Sequence, residues 1–260
     1  EHRQDVGSWH TRRFELLFGK LQMRVAVVLT GHLRCWRDVL PNFKEKVIDR
    51  YNPDIFIHTW DEEGWWIPGD KQNEKGYFED TPKIIAEEIL EAYDPKGLVI
   101  EKWDDYNPLF EHRGKLYPNF AHRPKNILSM FHKMQAGIAL MENYVSQTGV
   151  FYDLVIRMRP DMIFHEELPD FNPEEFYTLA HRNHLAQGTG DMIQVGNMFN
   201  MMLFSKASCF LTHLYMKTDL LCPHVLSMQW ITDMKLPWTE FNIQKTIQHT
   251  PRGEYKEMDK

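Results

Sequence analysis

Apolar residues fall along the chain in short continuous runs separated by stretches with helical spacing. Arg24–Thr30 reads RVAVVLT and is bounded by Gly31. A β-branched run without a polar face predicts a strand covered on both sides. Asp54–Thr59, DIFIHT, has the same character, and Arg37–Tyr51 between the two predicts a helix. Residues 61–80 mix Trp, Gly, Asp and Glu without period and read as a loop. Ile84, Ile85, Ile89 and Leu90 recur at helical intervals, so Pro82–Ala92 predicts a second helix, and Gly97–Glu101 a third strand. Residues 103–123 hold Pro108 and Pro118, are followed by Pro124, and read as irregular. Ile127, Met130, Phe131, Met134, Ile138, Met141 and Tyr144 predict a long helix over Lys125–Gln147, stopped at Gly149. Tyr152–Met158, YDLVIRM, predicts a fourth strand, ended by Pro160, which has no N–H for a ladder.

Strands alternating with helices over short connections imply an α/β fold: a Rossmann-like, mostly parallel central sheet flanked by helices. The C-terminal half reads as mixed. Thr178–Ala180, Met192–Val195 and Met198–Phe204 predict strands, some antiparallel, and Ser208–Leu221 and Phe241–Gln248 predict helices. Residues 1–22 read as a linker or the end of a preceding domain, with a short helix at Arg12–Phe18. Residues 23–250 read as one domain and 251–260 as a frayed tail.

Composition narrows the function classes. Hydrophobic residues make up 43% of the 260, enough for a core, and the net charge of −7 argues against a nucleic-acid coat, which needs a basic footprint. No apolar run reaches the length of a membrane span. Cys35, Cys209 and Cys222 form no metal-type spacing and suit a reduced, cytoplasmic setting. There is no P-loop, GxGxxG, GxSxG or HExxH pattern, and His181 and His184 read as solvated rather than as zinc ligands.

Ligands of open parallel sheets bind beyond the carboxyl ends of the strands. The four predicted tips carry Thr30-Gly31-His32-Leu33-Arg34-Cys35-Trp36, His58-Thr59-Trp60-Asp61, Trp103-Asp104-Asp105 and Arg157-Met158-Arg159-Pro160-Asp161. Alternation puts Arg157 and Arg159 on one face, where two like charges need an anion between them. Diphosphate suits guanidinium forks; structural carboxylates such as Asp153 or Glu142 are the other reading. Asp161 reads either as a ligand for a divalent cation or as a turn aspartate. Gly31 permits close backbone approach, and Arg34 is in reach of a phosphate. Trp36, Trp60, Trp65 and Trp66 are stacking surfaces or core residues. Asp191, in the Gly-rich turn QGTGDM, and Glu240, in PWTEFN, are candidate general bases. For Glu240 the other reading is a helix-start acid behind a Thr239 cap.

The ordered strings VAVVLTGHLRCW, NPDIFIHTWD, MENYVSQTG and YDLVIRMRPDMIF resemble a family of GT-A-like glycosyltransferases found in bacterial surface-polysaccharide clusters and large DNA viruses, including algal viruses. The resemblance spans about residues 23–165. It implies a GT-A-like fold and a UDP- or GDP-linked sugar donor, with Thr30, Gly31 and Arg34 at the nucleotide pocket and Arg157 and Arg159 at the leaving diphosphate. It also implies a glycan acceptor, and either an Mn²⁺ or Mg²⁺ ion on Asp161 or no metal ion, with arginine neutralising part of the leaving diphosphate. Arg159-Pro160-Asp161 takes the place of a DxD metal motif but replaces its first acid with arginine. Other enzyme domains of a longer chain are implied partners; nucleic acid and a membrane span are not. A non-catalytic module that binds nucleotide-sugar or glycan is the alternative reading.

Overall fold

The computed structural model describes residues 23–64, 81–183 and 186–247. The expectations for 1–22, for Trp65-Trp66, for His184 and for 251–260 lie outside the described residues, and so does the side chain of His181. The chain runs β1 (Val25–Thr30), α1 (Trp36–Phe43, continued by a π-helical turn Lys44–Ile48 and a last turn Asp49–Tyr51), β2 (Asp54–Trp60), α2 (Ala86–Tyr93) and β3 (Gly97–Glu101). Next come α3 (Trp103–Gly114), α4 (Pro124–Thr148), β4 (Leu154–Met158), β5 (Met162–Phe164), β6 (Phe176–Asn183) and β7 (Ala186–Gly196). The chain closes with α5 (Met198–Ser205), a 3₁₀ turn Lys206–Phe210, α6 (Leu211–Thr218), α7 (Pro223–Met234), β8 (Trp238–Phe241) and β9 (Lys245–Ile247).

Seven strands form the central sheet in the order β3-β2-β1-β4-β7-β6-β8, and β5 pairs with β9 in a small second sheet. The first four strands are parallel. Strand β7 runs antiparallel to β4 and β6, and β8 is again parallel to β6. This is the expected α/β layout: a Rossmann-like parallel half joined to a mixed half.

Alternation along the strands splits the core in two. Val25, Val27 and Leu29 join Ile55, Ile57, Leu154, Ile156 and Met158 beneath α1 and α2. Ala26, Val28, Phe56, Trp60 and Val155 face α3 and α4 on the other side. Every residue of β1 is buried, which is why the strand has no polar position before Thr30. In-register pairing then carries one row across the sheet on the α4 side: Val28, Arg157, Gln194, Thr178 and Glu240.

Several elements differ from the sequence reading. Residues 103–114 are helical despite Pro108. Trp103 and Phe110 are buried, both rings pack against Trp60, and acids in the first turn with His112 and Arg113 in the last complement the helix dipole. Helix α2 starts at Ala86 rather than Pro82, because the backbone there is held to the preceding loop by Ile84 N–H to the Asp61 carbonyl and Glu63 N–H to the Pro82 carbonyl. Met198–Ser205 is a helix, not a strand: Asn197 caps it by accepting from Asn200 N–H. Among the described residues of Phe241–Gln248, 241–247, there is no helix. Residues 238–241 extend the sheet beside β6, and 245–247 pair with β5, so interstrand bonds outweigh local periodicity. Strand β5 and helix α7 are elements that the sequence reading did not predict.

Candidate functional site

Strands β1 and β2–β3 run to one side of the sheet and β4 to the other, so the sheet order reverses between β1 and β4. A crevice outside the carboxyl ends is expected at such a point. A cavity of about 300 Å³ lies there, lined by Thr30, Gly31, His32 and Arg34 after β1, Trp60 from β2, and Arg157, Arg159 and Pro160 at the end of β4. Asn126, Ile127, Ser129, Met130 and Lys133 of α4, with His122, Asp191 and Pro223, complete the wall. Of the residues predicted from sequence, six therefore meet in one cavity: Thr30, Gly31, Arg34, Arg157, Arg159 and Asp191.

The tip of β1 is built for close approach. Gly31 has φ +107°, which a side chain rarely adopts. Arg34 has φ +51°, a left-handed conformation that costs an L-residue about 1–2 kcal/mol. Its N–H bonds the Glu63 carbonyl at 2.8 Å, and its Nε lies 3.2 Å from Asp161 Oδ2.

Arg157 is 2% exposed, and its polar partners are neutral. Nε donates to Thr30 Oγ1 at 2.8 Å, and Nη1 donates to the Asp191 carbonyl at 2.5 Å and to Gln194 Oε1 at 2.9 Å. Gln194 is itself held by donating to the Gly190 carbonyl at 2.9 Å. Among the described residues no carboxylate lies within ion-pair distance of Arg157. Asp153 accepts from Arg24 N–H instead, and Glu142 Oε1 is buried without a hydrogen bond. Burial pushes the guanidinium down to about 10. A buried cation with neutral partners is costly unless an anion is added, and the cavity is where one would sit.

Lys133 was not singled out from the sequence. It is fully buried on α4, and its Nζ donates to the Thr59 carbonyl at 2.6 Å, Glu101 Oε2 at 2.8 Å and His58 Nδ1 at 3.2 Å. The same ammonium lies 3.5 Å from the centroid of Trp60, whose Nε1 donates to Ser129 Oγ at 3.1 Å. Burial draws Lys133 down to about 8, and the bond it donates keeps His58 Nδ1 unprotonated. The signal for Lys133 was present in the helical pattern: Asn126, Met130, Lys133 and Gly137 form one stripe toward the sheet, and a lysine in such a stripe is buried with its partners.

Two predicted site residues do not line the cavity. Glu240 is on the edge strand β8, exposed, three strand spacings from Arg157, or about 14 Å on sheet geometry alone. It starts no helix, so neither the Thr239 cap nor the dipole role applies. Asp161 is 0% exposed, in the turn between β4 and β5. Oδ1 accepts from Arg159 Nε at 2.9 Å, and Oδ2 accepts from Arg159 Nη2 at 2.6 Å and faces Arg34. With both oxygens on guanidinium groups, these residues do not fit a divalent cation. Among the described residues no group of three or more His, Cys, Asp or Glu is arranged to hold a metal ion.

The fold and cavity define the class: an α/β protein with a mostly parallel central sheet and a cationic crevice at the strand tips. No protein-family model and no curated protein sequence matches the chain. Among solved structures, one that matches is the apo form of mouse xyloside xylosyltransferase 1. The two share 8% sequence identity at a TM-score of 0.42, over 84% of each chain. Among the described residues no helix is long and apolar enough to cross a membrane.

Proposed function

We propose that the chain is a glycosyltransferase that moves a sugar from a nucleoside-diphosphate donor to a hydroxyl of a glycan acceptor, in surface or capsid glycan synthesis. The observation that carries this reading is Arg157, a buried guanidinium without a carboxylate partner on the wall of a cavity at the sheet's reversal point. Arg34, Lys133 and Arg159 add three more cations to the same wall, in a chain whose net charge is −7. Such a wall suits a diphosphate. Negative charge grows on that group as the sugar leaves, and each fixed donor aimed at it lowers the barrier by about 2–4 kcal/mol. Trp60, His32 and Met130 offer flat or soft surface for a base or sugar. We assign Asp191 as the group that takes the acceptor's proton, because it is the carboxylate that lines the cavity; Glu240 has no part in this reading.

The test is donor hydrolysis and transfer with a panel of UDP- and GDP-sugars, read as free nucleoside diphosphate. Slow release by the wild-type protein is expected. Arg157→Lys, which keeps the charge but loses the fork, is expected to cut turnover at least tenfold in a variant that circular dichroism shows to be folded. Heat of donor binding without turnover under any acceptor would identify a binding module instead.

A further inference from the structure

We infer that the cavity takes its diphosphate without a divalent cation, and that Asp161 is a positioning residue for two arginine forks rather than a metal ligand. The inference rests on the donor reading above and concerns how that donor's charge is balanced.

Three guanidinium nitrogens already crowd the Asp161 carboxylate: Nε and Nη2 of Arg159, which donate to it, and Nε of Arg34, 3.2 Å away. The carboxylate is wholly buried and lies behind the cavity wall, not on it. A cation on Asp161 would sit against two guanidinium groups, with Arg157 and Lys133 on the same cavity wall. Mg²⁺ and Mn²⁺ ask for an open octahedral set of oxygens, usually one or two carboxylates plus waters and phosphate. The wall offers one carboxylate, Asp191, whose main-chain oxygen is already taken by Arg157.

The charge count points the same way. The wall carries four cations, Arg34, Lys133, Arg157 and Arg159, against three carboxylates, Asp191 on it, Asp161 behind it and Glu101 paired with Lys133. The remaining positive charge lies with Arg157, which has neutral partners, and it draws a diphosphate into the cavity without help from a metal ion. Asp161 has a definite task in this arrangement. Its bidentate pair with Arg159 aligns that fork, and its contact with Arg34 ties the left-handed residue after β1 to the turn after β4. Arg159, aligned by Asp161, presents a guanidinium on the cavity wall where a bound cation would otherwise face the diphosphate.

Calorimetric titration of the protein with UDP, GDP and inorganic pyrophosphate, in EDTA and again with Mn²⁺ or Mg²⁺ in excess, tests this. Affinities within twofold of each other across these conditions are expected. Asp161→Asn is expected to weaken diphosphate binding at least tenfold, equally with and without metal, while uridine or guanosine binding is unchanged and Asp161→Glu partly restores the loss. If Asp161→Asn does not fold, Arg159→Lys serves in its place and is expected to show the same phosphate-selective, metal-blind loss. A tenfold or larger gain in affinity with Mn²⁺ that disappears in Asp161→Asn overturns the inference and leaves the donor reading intact. Tight pyrophosphate binding in EDTA without binding of either nucleotide supports the inference and sinks the donor reading. Binding of none of these probes under any condition sinks both.

Discussion

At the residue scale, the site is a set of cations whose burial is offset by specific partners. Arg157 and Lys133 show the two ways to do it. Arg157 has neutral acceptors and needs an anion; Lys133 has Glu101, and the Glu101 carboxylate also binds His132 Nε2 and the Tyr106 hydroxyl, each at 2.8 Å. These contacts hold Glu101 well below the usual carboxylate range despite its partial burial. Lys133 titrates near 8, so its charge is present at neutral pH and lost above. Pyrophosphate affinity is therefore expected to fall several-fold between pH 7 and 9.5, and the drop should be absent in Lys133→Met. Calorimetry at the two pH values measures it, and a wild-type affinity flat across that range would remove Lys133 from the binding charge. Arg157 and Arg159 were legible in the sequence because alternation in a strand puts like charges on one face. Lys133 and Gln194 were not singled out, since each looks like an ordinary polar position until its neighbours in space are known.

At the element scale, the site depends on how closely α4 lies on the end of β1. A Cβ at Gly137 would come within 2.5 Å of Thr30 Cγ2 and 3.0 Å of Val28 Cγ1. Thr30 cannot rotate away without breaking the bond its hydroxyl accepts from Arg157. Gly137→Ala is therefore expected to cost about 1–3 kcal/mol in urea unfolding and to weaken diphosphate binding as well. Gly149, in the left-handed position after α4 with open space around it, provides the contrast. Gly149→Ala should cost about 1 kcal/mol through its positive φ and leave binding alone. Denaturation midpoints and pyrophosphate titration of both variants check the pair. Helix α4 was readable from its spacing, whereas α3 was hidden by Pro108. A proline removes one helical bond, but the packing of Trp103 and Phe110 against Trp60 outweighs that loss.

At the scale of the whole molecule, an acidic protein carries a cationic crevice at one end of its sheet, so an anionic ligand is attracted locally rather than by net charge. Two buried histidines, His32 on the crevice wall and His58 beside Lys133, make the fold sensitive to acid. Burial, foremost, lowers His32 to about 3 and His58 to about 4 from an ordinary 6.5. The unfolded chain takes up these protons first as pH falls. The stability that the two histidines contribute is thus complete above pH 6.5 and is lost on the way down toward pH 4 and 3. The expected slope is about 1.4 kcal/mol per pH unit for each histidine while both remain neutral in the fold. Urea unfolding between pH 7 and 4 measures it, and His58→Gln should roughly halve the slope. An unchanged slope in that variant would assign the acid sensitivity to other groups.

Local pattern determined most of the parallel half of the protein. Short continuous apolar runs bounded by turn residues read as strands, and α1, α2 and α4 follow from spacing, so β1 to β4 and their charged tips were readable from the chain, whereas α3 rests on the packing of Trp103 and Phe110 against Trp60. Tertiary structure decided the rest. Whether 238–247 became helix or strand depended on partners far away in sequence, β6 and β5, and such pairing leaves no local periodicity. The role of Asp161 was decided the same way: a carboxylate two residues after an arginine suits a metal or a salt bridge equally well, and the position of Arg34, brought in by the turn after β1, settles its surroundings in favour of guanidinium.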